Sequence, residues 1–255
     1  MQFYWLLLLL GVCLALKPIR PITLGLYANF HAMRACGHLQ VWALEYSTEW
    51  PAELMVVVSD IQPHQQAEIR SPFDKFSNFL RVTYVFFDEP RWSGPNRNVV
   101  FDRATQELIA MFDVDDLPHP QRLEAIFDIF QRYPDVDVLV HDYTAVDTHT
   151  VEPVTLPWLN LSAIPVVRDY GLFQGNTKRG PFQPCSGCKV HNGWVSLRKV
   201  VDVRQGFEYR AEDTQWVRNV AMRGWHLAYA KESLGVFNLL ERENRCQDIT
   251  DMVKL

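Results

Sequence analysis

Little in this sequence points to nucleic acid, to a repeat architecture or to a membrane span. Its 25 Lys and Arg are outnumbered by 30 Asp and Glu, for a net charge of −5, so no basic surplus exists to attract nucleic acid or an anionic membrane surface. The absence of internal repeats and low-complexity tracts excludes solenoids and compositionally disordered scaffolds. The chain has only five cysteines. Cys185 and Cys188, with His191 nearby, lack a second pair and an obvious fourth ligand, which leaves a zinc site, a tight disulfide and free thiols all open. The apolar stretch 3–16 is shorter than the roughly twenty residues a membrane span needs. No Gly-rich phosphate loop follows the first apolar segment, where Tyr27-Ala28-Asn29-Phe30 stands instead.

What is present is a chain of 255 residues, 48% hydrophobic, able to bury one sizeable core with little room for a second domain. Residues 22–27, 53–59, 80–87, 108–112, 136–140 and 225–229 read as strands, with a further strand over 191–199. Residues 30–45, 121–133 and 215–223 have helical spacing, the last stopped by Gly224. Continuous apolar strands separated by helices argue for an α/β fold with a mainly parallel central sheet flanked by helices. Ligands of such sheets gather beyond the carboxyl ends of the strands, where Asp60 and Asp113 would sit.

The most informative stretch is 108–120. Five apolar residues, Leu108 to Phe112, run into three carboxylates, Asp113, Asp115 and Asp116, before Pro118 and Pro120 open a new helical pattern. Carboxylates at the end of a buried strand are costly unless they meet a cation or hydrogen-bond donors. A hard divalent metal carrying phosphate oxygens suits them, because Mg²⁺ and Mn²⁺ favour oxygen ligands. The plain alternative is a solvated Asp-rich turn. A calcium EF-hand loop is excluded, since its required Gly and closing Glu are missing. Two other acidic sites have plain alternatives as well. Asp60 could cap a helix over 62–70, and Glu212 with Asp213 could cap the helix that follows them.

The order of these features resembles the family 2-type glycosyltransferases of the GT-A fold. Gly94, then Arg97-Asn98, a short helix with Ala104 and Glu107 near its end, an apolar strand, Asp113-x-Asp115-Asp116 and Pro120 before an amphipathic helix fall in that family's pattern over some forty residues. The resemblance implies a single GT-A domain over 20–245 and a metal-dependent, inverting transfer of a sugar from a nucleotide-diphosphate donor to an acceptor hydroxyl on a glycan, protein or lipid. It further implies Mn²⁺ or Mg²⁺ on Asp113 and Asp115, and donor contacts from Asn29, Asp60, Arg97, Asp113 and Asp116, with the pairing of Arg97 to one of the strand-end aspartates as its alternative. Asp213 becomes the general base, supported by Glu212, and His191 an additional residue near the diphosphate or metal. One departure concerns the nucleoside: relatives usually carry Asp-Asp-Gly-Ser where Ser59-Asp60-Ile61-Gln62 stands here. The alternatives are a catalytically inactive relative that binds a nucleotide sugar or glycan and, ranked below it, a nucleotidyltransferase.

The Pro-rich stretch 148–190 is expected to shape the acceptor side, with Trp158, Tyr170 and Phe173 as surfaces on which a sugar could stack. Residues 1–16 read as a signal peptide or a short membrane anchor, with Cys13-Leu14-Ala15 as a small-x-small cleavage site. This places the protein in the lumen of the secretory pathway (ER or Golgi) or on a membrane; the alternative is the cytoplasmic face of a membrane, held through residues 3–16. The sequon Asn160-Leu161-Ser162 is compatible with secretory entry.

Overall fold

The computed structural model describes residues 17–147, 150, 153–168, 194–204, 212–239, 246, 249 and 252–254. In chain order these form β1 (Ile19–Asn29), α1 (Phe30–Tyr46), β2 (Trp50–Ser59), α2 (Gln66–Asp74), β3 (Arg81–Phe86), α3 (Ser93–Arg103), β4 (Leu108–Asp113) and β5 (Leu117–Pro118). They continue as α4 (Arg122–Arg132), β6 (Val138–Val146), β7 (Val154–Thr155), β8 (Val166–Val167), β9 (Ser196–Arg198), α5 (Glu212–Met222), β10 (Leu227–Asn238) and β11 (Val253–Lys254). Among the described residues no helix is long and apolar enough to cross a membrane.

The main sheet runs β3-β2-β1-β4-β9-β6-β10-β5, with β8 also on β10. The pairings β1–β2, β2–β3, β1–β4 and β6–β10 are parallel, and the short strands β9, β5 and β8 pair antiparallel. Because β9 runs against both β4 and β6, the two parallel halves point the same way. Their carboxyl ends therefore form a single edge.

The strands alternate as a period of two requires. Ile22, Leu24 and Leu26 of β1, Leu54, Val56 and Val58 of β2, and Ala110 and Phe112 of β4 pack with α1, α2 and α4. Their neighbours Met55, Val57, Ile109 and Met111 face the other way, onto Val100 and Phe101 of α3 and Trp216, Val217 and Val220 of α5. Both faces being covered explains why these strands read as unbroken apolar runs. Gly25 is required by close approach, since a Cβ there would lie 2.6 Å from Val100 Cγ1 and 2.9 Å from Met111 Sδ. It lets α3 settle directly on β1. Gly224, with φ of 85°, ends α5 in the left-handed conformation that a helix stop favours.

Two features bind distant parts of the chain. At the amino-terminal edge of the sheet, fully buried Glu53 accepts from Thr23 Oγ1 (2.7 Å), Thr105 N (2.8 Å) and Thr105 Oγ1 (2.9 Å). On the α1 face, Cys36 and Cys246 form a disulfide across a sequence separation of 210. Cys246, Ile249 and Val253 pack into the same core as α1 and α4. Cys185, Cys188 and residues 1–16 lie outside the described residues.

Candidate functional site

The carboxyl ends of β1, β2 and β4 carry Asn29, Asp60 and Asp113 to one edge of the sheet. Beside them opens a cavity of about 380 Å³ whose walls include Asn29, Asp60, Arg91, Trp92 and Asn96. Asn29 is the N-cap of α1, its Oδ1 accepting from Ala32 N at 2.8 Å. Asp60 adopts a φ of 58°, a left-handed conformation that Asp tolerates better than most residues. It caps no helix: the turn before α2 is capped by Gln62, whose backbone N–H donates to Gln65 Oε1 at 2.8 Å. Its side chain lies in the cavity wall.

Asp113 ends β4 beside Tyr27 of β1. The Tyr27 hydroxyl donates to Asp113 Oδ1, and Arg97 Nη2 reaches the same oxygen at 3.4 Å. Arg97 comes from α3, its side chain 3% exposed and its guanidinium 4.8 Å from the Tyr27 ring centre. Burial, reinforced by the Asp113 charge and opposed by Arg97, holds the Tyr27 phenol well above its ordinary pKa. Tyr27 thus stays a neutral donor at physiological pH.

The turn after Asp113 is fixed from three sides. Gln40 of α1 donates through Nε2 to the carbonyls of Asp116 (2.7 Å), Val114 (3.1 Å) and, more weakly, Asp113 (3.4 Å). Asn238, at the end of β10, donates its Nδ2 to the Asp115 carbonyl at 3.1 Å and its backbone N–H to Asp116 Oδ1 at 2.9 Å. Trp194 Nε1 donates to Asp116 Oδ2 at 2.8 Å. Asp116 is 1% exposed, and burial first, then the Asp113 and Asp115 charges, push its carboxyl well above the usual range. With one oxygen given to β10 and the other to Trp194, Asp116 buttresses the turn from inside. Asp113 and Asp115, by contrast, are both partly exposed.

Behind the turn lies Arg122, the first residue of α4. It is 2% exposed, with its guanidinium 4.7 Å from the Phe112 ring centre. Its Nη2 donates to the carbonyls of Met111 (2.8 Å) and Trp194 (3.2 Å), and its Nε to His141 Nε2 (3.1 Å). Burial lowers its pKa to about 9. Arg122, Gln40, Trp194 and Asn238 escaped the sequence reading. Trp194 and Asn238 lie 78 and 122 positions from their partner Asp116, and no local spacing signals such a contact.

Among the described residues no cluster of three His, Cys, Asp or Glu forms that could hold a metal. Mg²⁺ and similar hard ions commonly take one or two protein carboxylates and complete their shell with substrate phosphate and water. Asp113 and Asp115, at the same edge of the sheet as the cavity, fit that arrangement.

Glu212 and Asp213 form the first turn of α5, although their side chains lie outside the described part of the structure, as does His191. β10 begins at the amino-terminal edge of the sheet, and α5 ends just before it at Gly224. The turn bearing Glu212 and Asp213 is therefore the end of α5 away from that edge. Of the aromatic residues expected on the acceptor side, Tyr170 and Phe173 lie outside the described residues. Trp158 sits between Pro157, whose carbonyl pairs with His119 Nε2 at 3.0 Å, and Leu159, whose N–H donates to Gln121 Oε1 at 2.7 Å. It belongs to the segment that covers the start of α4.

The family model described as glycosyl transferase family 2 matches residues 44–190, more than half of the chain. No curated protein matches the sequence. Among solved structures, the chain is similar to residues 1–349 of S. aureus TarS (TM-score 0.54, 16% identity, covering 84% of this chain and 59% of that one). It is similar to the same TarS segment in complex with UDP (TM-score 0.57, 15% identity, 91% and 63%). It is also similar to the mannosyltransferase PcManGT from Pyrobaculum calidifontis in complex with GDP-Man and Mn²⁺ (TM-score 0.57, 14% identity, 91% and 60%). At these identities the likeness is one of fold, that of the GT-A glycosyltransferases, and the chain spans about three-fifths of the length of each of these proteins.

Proposed function

The chain belongs to glycosyl transferase family 2, and on that premise we propose that it transfers a sugar from a nucleoside-diphosphate donor to an acceptor hydroxyl with inversion at the anomeric carbon. The observation that carries this reading is the pair Asp113 and Asp115, held at the strand ends beside the cavity by a turn whose carbonyls are tied to Gln40 and Asn238. Mn²⁺ or Mg²⁺ on this pair would supply Lewis-acid neutralisation of the departing diphosphate. Support for such a donor comes from the two similar structures that hold UDP and GDP-Man.

The chain's own groups then divide the work. Asn29 and Asp60 line the cavity that receives the nucleoside. Arg97 and the neutral Tyr27 hydroxyl orient Asp113 by sharing its Oδ1. Asp113 and Asp115 accept the cation, and Asp116 fixes their backbone. Asp213, in the first turn of α5, takes the proton from the acceptor hydroxyl as its oxygen attacks opposite the leaving phosphate, and Glu212 supports it or binds the acceptor. A single displacement inverts the centre and needs no covalent nucleophile. The acceptor is a glycan, a protein or a lipid hydroxyl.

The Cys36–Cys246 disulfide supports a location in the secretory lumen, because such bonds persist in oxidising compartments. The function is tested by donor turnover across a panel of nucleotide sugars with Mn²⁺, Mg²⁺ or EDTA. Metal-dependent turnover of one donor is expected. Donor binding with no turnover for any acceptor class would instead indicate an inactive relative.

A further inference from the structure

Trp158 is 74% exposed, the most open of the large apolar side chains described, and nothing in the proposed reaction uses it. It lies two positions before Asn160, which begins Asn160-Leu161-Ser162, the only Asn-x-Ser/Thr triplet in the sequence. We propose that Asn160 is an N-glycosylation site and that Trp158 is the platform on which its first sugar packs.

The two side chains share the solvent-facing side of the segment. Residues two apart on an extended segment project to the same side, and Asn160 is extended, with φ of −85° and ψ of 94°. Burial follows that alternation: Trp158 and Asn160 are exposed while Leu159 between them is buried. Leu159 is also locked in register, its N–H donating to Gln121 Oε1 at 2.7 Å and its carbonyl accepting from Gln121 Nε2 at 3.3 Å. The Ser162 hydroxyl donates to Asn160 Oδ1 at 2.9 Å, and no acceptor for Asn160 Nδ2 occurs among the described residues. The atom that would carry the sugar is the one left open to solvent.

The chemistry requires a lipid-pyrophosphate-linked oligosaccharide as co-reactant, supplied in the secretory lumen. The bond from Asn160 Nδ2 to sugar C1 forms, the C1–O bond to the pyrophosphate breaks, and the amide nitrogen gives up one proton. An indole face then matches the apolar face of the first pyranose ring, the kind of flat contact that aromatic side chains provide.

The inference rests on the lumenal location proposed above, and one experiment separates the two. The full chain is expressed in a eukaryotic secretory host and examined by intact and peptide mass spectrometry, with and without the amidase that cleaves N-linked glycans. A single glycan at Asn160 is expected, absent from Asn160→Gln and Ser162→Ala and retained in Ser162→Thr. Finding the Cys36–Cys246 disulfide but no glycan would overturn the site and leave the location standing; finding neither would overturn both. For the platform, enzymatic removal of all but the first sugar should leave Tm unchanged, and removal of that sugar should lower it by roughly 2–4 °C. That drop should vanish in Trp158→Ala. An equal drop in Trp158→Ala would refute the stacking role.

Discussion

Replacing Gln40 with Leu should weaken metal binding without touching a single carboxylate. The amide of Gln40 donates to the carbonyls of Asp116 at 2.7 Å and Val114 at 3.1 Å, with a third contact to Asp113 at 3.4 Å, and the residue is 2% exposed. Leu fills similar space but donates nothing, so two buried carbonyls lose this donor. At about 1–3 kcal/mol for each unsatisfied buried group, the variant should lose roughly 2–5 kcal/mol and melt about 5–15 °C lower. The same change lets the Asp113–Asp116 backbone relax, and losing a supporting contact of this kind commonly costs about 10–100-fold in metal affinity. The assay is Mn²⁺ titration by calorimetry in the presence of a donor nucleotide, well below the melting range. Thr23→Val serves as the control: it removes the 2.7 Å donor from buried Glu53 and destabilises the opposite edge of the sheet. It should lower Tm and leave the Mn²⁺ constant alone. Equal Mn²⁺ constants in Gln40→Leu and wild type would refute the reasoning, as would equal losses in Gln40→Leu and Thr23→Val.

Three further outcomes are expected. Cys36→Ser should remove a cross-link spanning a separation of 210, worth about 5 kcal/mol in the chain-entropy treatment; in calorimetry, reductant should bring wild type down to the variant and leave the variant where it is. His119 holds a neutral ring, accepting from Gln121 N at 3.0 Å through Nδ1 and donating to the Pro157 carbonyl through Nε2, and burial lowers its pKa although the Pro157 bond pulls it back. Its contribution is therefore full above the unfolded value of about 6.5 and lost as pH falls through that value towards the folded one, so denaturant midpoints should drop from pH 7.5 to 5.5 in wild type and much less in His119→Gln. Asp213→Asn should keep donor affinity and lose about 10²–10⁴-fold in transfer rate, measured as kcat and donor Kd side by side.

The elements that position the acidic turn were legible because their signals are local. An apolar run ended by carboxylates can only be β4 and its exit, and Gly224 marked the end of α5. Boundaries failed where a local rule was misapplied. The short helix before β4, which the sequence reading left without bounds, runs Ser93–Arg103, with Gly94 and Pro95 in its first turn, where Pro lacks only an N–H that would have gone unbonded. The strand expected to close at Tyr229 runs on to Asn238 through two register shifts, since Lys231, Glu232 and Ser233 interrupt its apolar pattern. That extension delivers Asn238 to the turn, so missing it hid a supporting residue. Of the strand expected over 191–199, the described residues from Trp194 onward form strand at Ser196–Arg198. Three carboxylates in a row cannot show which one turns inward; it is Asp116, onto Asn238 and Trp194. Cysteine spacing drew attention to Cys185 and Cys188, whereas the described disulfide joins Cys36 to Cys246, a pairing that only the packing of the C-terminal segment on α1 determines.

The central claim is that Asp113 and Asp115 carry the donor diphosphate through a divalent cation. Calorimetry of UDP and GDP binding to wild type, Asp113→Asn and Asp115→Asn, each with Mn²⁺ and with EDTA, tests it most directly. Binding of one nucleotide that requires Mn²⁺ in wild type and falls at least tenfold in both variants is the predicted result. Nucleotide binding of equal strength in EDTA, or unchanged in both variants, would contradict the account.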